Sequence, residues 1–188
     1  RKAEWFKEMD TNHFVMWWVE EGHRPTLHEA KERLDHLNKH GDSDHAWGEF
    51  LCKKGIVSET HYRSENDRFF KDYQAGTLDI NEFLEFALKP LSEHKPAQLI
   101  QWHAEFMREM IAPIMLPKAA ELLQKHRDRG DFLLIITATN AFVTQPIAEH
   151  LGVDAILATD PELLDGSYTG KVAGIPCFQH GKVERLHT

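Results

Sequence analysis

The chain has 188 residues, 41% of them apolar and 28% charged, with a formal net charge of −8. This length suits one domain, or one domain plus a small one, with a sizeable core. The acidic balance argues against a nucleic-acid partner, whose phosphates need a basic face, and no apolar run reaches about 18 residues, which argues against a membrane span.

The first residues, RKAEWFKEMD, carry no secretory pattern. The two cysteines, Cys52 and Cys177, have no CxxC spacing, so a reduced, cytoplasmic protein is expected. Next comes a strand candidate, HFVMWWV (13–19), in which Trp17 and Trp18 face opposite sides. One side suits a core and the other an interface, so a homodimer is an option. Thr26 and Glu29 form a capping box, and Leu27, Ala30, Leu34 and Leu37 form a helical stripe that ends at Gly41. His36 and His40 are one helical turn apart, but no acidic or Cys partner stands at ligand spacing. They read as solvated helix histidines, and no metal ligands are assigned.

Residues 42–115 change character and read as a helical module. Segments end at Gly55 and Gly76, Asp79 is a candidate cap, and Pro90 lies near a stop. Residues 116–188 read as α/β. A helix with Pro117 at its start and Gly130 past its end leads into FLLII (132–136), read as a fully buried strand. In AFVTQPIAEHLG, Pro146 places the start of regular helix near Gln145. AILAT (155–159) is a second strand, Asp165-Gly166 turns a hairpin, and GKVERLHT opens a last helix. Alternating helices and strands predict a parallel sheet covered by helices.

The first of these strands runs into Thr137-Ala138-Thr139-Asn140. Ligands of open α/β sheets bind beyond the carboxyl ends of strands, and a helix N-terminus there favours an anion such as phosphate. The same four residues also suit a plain helix cap. The segment by itself does not choose between the two.

Beyond this, GDSDHAWGEFLCKKG, NDRFFKDYQAGTLDINEF, LLIITATNAFVTQPIAEHLGV, DGSYTGK and CFQHGKVERL occur in one order. With them, residues 42–188 resemble the haloacid dehalogenase-like phosphatases with a helical cap, the group of the phosphoserine and histidinol-phosphate phosphatases. The resemblance implies an α/β fold, here a partial Rossmann-like parallel sheet (116–188) with a helical cap (42–115). It implies a Mg²⁺-dependent phosphatase acting on a small phosphorylated metabolite, an amino-alcohol or amino-acid phosphate. In that pattern the Thr137 hydroxyl holds a phosphoryl oxygen and the Lys182 ammonium neutralises charge on the phosphoryl group and nucleophile. Asp42 faces the substrate's amine. In a non-catalytic reading, Asn140 joins Thr137 and Lys182 in a retained phosphate pocket.

The family's first motif, DxDx(T/V), falls by counting on Arg33-Leu34-Asp35-His36-Leu37. Asp35 matches the second aspartate. Arg33 stands where the nucleophile is expected and Leu37 where the threonine is. The fourth motif, an acidic pair that holds Mg²⁺, falls past Thr188. The expectation is therefore a fragment, inactive as written, with Mg²⁺ bound by the parent family and not by this chain. Residues 1–41 instead resemble the C-terminal part of a family of small uncharacterised proteins with a Trp-Trp-Val strand. A marginal fold is expected for the second half. The alternative function is a non-catalytic phosphate-binding or protein-interaction module.

Overall fold

The computed structural model describes residues 43–187. The strand–helix segment expected over 1–41, with Trp17, Trp18, His36 and His40, lies outside the described residues, as does Asp42.

Four helices come first: α1 (Ser43–Lys53), α2 (Glu59–Ala75), α3 (Ile80–Ser92) and α4 (Pro96–Phe106). Their ends follow local chemistry. The Ser58 hydroxyl caps α2, and Gly76 ends it in the left-handed region at φ 72°. Asp79 caps α3 by accepting from the N–H groups of Asn81 and Glu82. Pro96 opens α4, where a missing N–H costs nothing. One π-helical turn (Met107–Ile111) and a short 3₁₀ turn (Ala112–Ile114) then lead to α5 (Pro117–Asp128).

The remainder is β1 (Leu134–Asn140), α6 (Ala141–Leu151), β2 (Ala155–Thr159), β3 (Pro161–Leu164), β4 (Ser167–Val172) and α7 (His180–His187). β1 and β2 are parallel, with Leu134 opposite Ala155 and Ile136 opposite Leu157. The register shifts between Ile136 and Asn140, and pairing resumes at Asn140 opposite Thr159. β3 and β4 form the expected antiparallel hairpin, turned at Asp165-Gly166.

Two expectations are corrected. The strand is not FLLII but begins at Leu134 and runs through the hydroxyl residues to Asn140. Phe132 is 72% exposed, and it is the Leu133 N–H that bonds a side chain, the Asp154 carboxylate, at 2.7 Å. Burial along β1 alternates, so the strand is not buried throughout. Similarly, α6 starts at Ala141 rather than near Gln145. The Asn140 side chain accepts from Val143 N–H, and the Thr144 hydroxyl donates to the Asn140 carbonyl. These bonds hold the first turn, and Pro146 then removes only one ladder bond further along.

Packing crosses the compositional boundary at 115/116. Trp47, Phe50 and Leu51 of α1, Phe106 of α4, Ile111, and Val143 and Ile147 of α6 make one buried cluster. Phe50 and Phe106 are fully buried and meet edge to face at 5.8 Å. A second cluster, Leu88, Leu91 and Leu99, packs against Tyr168 and Val172 of the hairpin. Helices from the first half thus support both the helix that follows β1 and the hairpin that follows β2.

Candidate functional site

The carboxyl ends of β1 and β2 lie side by side and are lined with hydroxyls. Thr137 and Thr159 are fully buried, and Thr139, Asn140 and Thr144 nearly so. Each buried hydroxyl needs a partner. Thr137 Oγ1 accepts from the Thr139 N–H at 3.2 Å. Thr159 Oγ1 donates to the Ala138 carbonyl at 2.9 Å, where the register shifts, and accepts from the Cys177 N–H at 3.0 Å. The Thr159 side chain therefore bridges the two strands where the parallel ladder shifts.

Cys177 ties the loop before α7 to these strand ends. Its thiol donates to the Leu157 carbonyl at 3.4 Å, and the Thr137 backbone bonds its sulfur. Burial raises the Cys177 thiol above its usual range, and the Arg185 and Lys182 charges, with the Thr137 bond, offset this only in part. The thiol is thus within the field of both α7 cations. Lys182 is half-buried on α7, which packs against both β1 and β2.

Asn140 is used differently. Its Oδ1 caps α6, and its Nδ2 donates to Asp44 Oδ1 at 2.8 Å. The capping reading of the strand end therefore holds for Asn140, whereas Thr137 stands three residues earlier and caps nothing. The Asp44 bond also moors the start of α1 to the end of β1.

A divalent cation such as Mg²⁺ needs several converging oxygens. Near the strand ends, Asp160 pairs with Arg185 and Asp44 accepts from Asn140. Among the described residues no three His, Cys, Asp or Glu side chains converge. The two carboxylates at the strand ends are thus engaged with Arg185 and Asn140 instead of converging on a shared point. Among the described residues no helix is long and apolar enough to cross a membrane.

Four participants escaped the sequence reading: Thr159, Asp160, Cys177 and Arg185. Thr159-Asp160 ends β2 as Thr137 ends β1's apolar run, so the same strand-end argument applied to AILATD would have found them. Arg185 follows Lys182 by one helical turn. Nothing local marks Cys177.

A model of the haloacid dehalogenase-like hydrolases matches residues 37–188. A domain of unknown function (DUF3291) matches residues 1–57. The chain is 41% identical over 155 residues to the histidinol-phosphatase of Neisseria meningitidis serogroup C (strain 8013), covering 82% of this chain and 70% of that protein. A solved protein with unknown function from Bordetella pertussis Tohama I is 42% identical, with a TM-score of 0.71 over 77% of this chain and 66% of that one. A phosphoserine phosphohydrolase-like protein from Francisella tularensis shares the fold, at 18% identity and a TM-score of 0.55, over 74% of this chain and 64% of its own. The chain thus spans about two thirds of the solved structures named here. With the family match running through the helical module and the hydroxyl-lined strand ends alike, the chain belongs to the haloacid dehalogenase-like hydrolases.

Proposed function

We propose that the chain holds a small phosphomonoester at the carboxyl ends of β1 and β2, with Thr137 and Lys182 as the phosphate-binding pair. The observation that carries this reading is the buried Thr137 at the strand end, with the Lys182-bearing helix packed beside it across Cys177. A hydroxyl and backbone donors with a nearby ammonium make a suitable anion site even in a protein of net negative charge, because the cation is local. The ligand class is an amino-alcohol or amino-acid phosphate, with histidinol phosphate preferred and phosphoserine second; similarity to the Neisseria histidinol-phosphatase supports that order. Asp42 is the proposed partner of the ligand's amine. Turnover by the 188-residue chain is proposed to be negligible, because Arg33 stands where the family's pattern has its nucleophile. A guanidinium cannot attack phosphorus, and phosphoryl transfer depends on a positioned nucleophile.

Calorimetric titration of the whole chain with histidinol phosphate tests the binding half. Saturable binding that Lys182→Ala abolishes is expected. Binding that survives both Lys182→Ala and Thr137→Val would remove these residues from the site. Phosphate release from histidinol phosphate with millimolar Mg²⁺ tests the other half: clear, protein-dependent turnover would overturn the assignment of Arg33.

A further inference from the structure

We infer that Arg185 is a positioning residue that fixes the rotation of α7 and so holds Lys182 against the strand ends. This deepens the phosphate-site reading and rests on it. Lys182 and Arg185 are three residues apart, so they share a face of α7. The Arg185 guanidinium bonds in two directions. Nη2 donates to Asp160, the residue that follows β2, and Nη1 donates to the Ile175 carbonyl at 3.0 Å in the loop before α7. The Arg185 side chain is 17% exposed, although the Asp160 carboxylate it meets is 49% exposed, so the guanidinium is the sheltered partner of this pair. A planar guanidinium bonded to two elements sets an orientation that a point charge does not.

A second contact sets the depth of the helix. A Cβ on Gly181 would stand 2.1 Å from the Pro176 carbonyl oxygen, so the first turn of α7 lies directly on the loop backbone. Gly181 is buried, and its N–H donates to the Phe178 carbonyl at 2.8 Å. Close approach at Gly181 and the two-way bond at Arg185 bracket Lys182, and the loop they grip is the one that brings Cys177 to Thr159 and Thr137. The engaged guanidinium is thereby a brace and not a second anion ligand.

The test titrates the full chain and its variants with inorganic phosphate, followed by NMR, alongside amide hydrogen exchange at Gly181 and Lys182. Positioning predicts that Arg185→Lys weakens binding by roughly tenfold or more, about 1.4 kcal/mol, although the charge is kept. It predicts a loss in the same direction in Asp160→Asn, which keeps the shape but removes the carboxylate charge that holds Arg185, and faster exchange at Gly181 and Lys182 in both. If Arg185 instead binds the anion itself, Asp160→Asn tightens binding and Arg185→Lys leaves it nearly unchanged; either result overturns the inference. Unchanged exchange in both variants also overturns it. Should the unaltered chain show no saturable binding, the phosphate-site reading fails; faster exchange in the two variants would then show the brace surviving without a ligand role, and unchanged exchange would sink both.

Discussion

At the scale of single residues, the strand-end rim is built from atoms with little freedom to move. Gly181→Ala is expected to destabilise the fold by about 1–3 kcal/mol, the usual cost of overpacking, because its methyl meets a backbone oxygen rather than a flexible side chain. Urea unfolding measures this. Thr137→Val keeps the shape but removes the acceptor of the Thr139 N–H, at about 1 kcal/mol. His103 supplies a pH signature. It is 5% exposed, packs against Trp47, Phe106 and Phe142, and lies 3.1 Å from the Val143 carbonyl, so Nε2 carries the proton and donates. Burial lowers its pKa, and the Val143 bond opposes this more weakly. The unfolded imidazole titrates near its ordinary value of about 6.5. Stability from a neutral buried His103 is therefore complete above that value and declines as pH falls from it toward the lower folded value. His103→Gln, which keeps a donor, should flatten that decline in urea midpoints measured between pH 7.5 and 5.5. An unchanged slope would contradict the assignment.

At the scale of elements, caps and close approaches govern which helix meets which. Asn140→Ala is expected to cost about 1–2 kcal/mol, as a lost N-cap does, and it also loses the Asp44 bond that moors α1. The α1–α2 approach runs through Gly48, where a Cβ would fall 1.6 Å from the Tyr62 hydroxyl oxygen. The Tyr62 ring is stacked on Phe86 at 5.3 Å and cannot swing away freely. Gly48→Ala should thus destabilise, and Tyr62→Ala in the same chain should relieve part of the loss; additive losses would contradict the contact. These elements also mark what was legible beforehand. Helix ends at Gly76, Asp79, Pro117 and Gly130 could be read because glycine, proline and capping carboxylates act on their own neighbours. The start of β1 depends on a tertiary bond, from Leu133 to the Asp154 carboxylate below the strand, whereas the start of α6 depends on the local Asn140 cap, which outweighs Pro146. Thr137 and Lys182 could be singled out from strand-end position and family pattern. Cys177 and Arg185 depend on contacts across 18 to 25 residues, which no local pattern encodes.

At the scale of the molecule, burial is uneven. The aromatic cluster of α1, α4 and α6 is closed, with Trp47, Phe50, Phe106 and Val143 nearly or fully buried. By contrast, Phe132, Leu163, Leu164, Ile175, Val183 and Leu186 of the second half are 44–72% exposed. Among the described residues β1 pairs with β2 alone, and two strands by themselves are marginal. Amide exchange should accordingly be slowest in α1, α4 and α6 and faster along β2 and α7. Uniform protection would contradict this gradient. It bears on function, because a phosphate bound between β1 and α7 would stabilise the less protected part of the fold by mass action.

The most direct measurement is an amide NMR titration of the unaltered chain with inorganic phosphate. Saturable shifts concentrated at residues 137–141 and 181–183 are expected. Absence of saturable shifts, or shifts centred on the arginines of α2 instead, would contradict a phosphate site at the ends of β1 and β2.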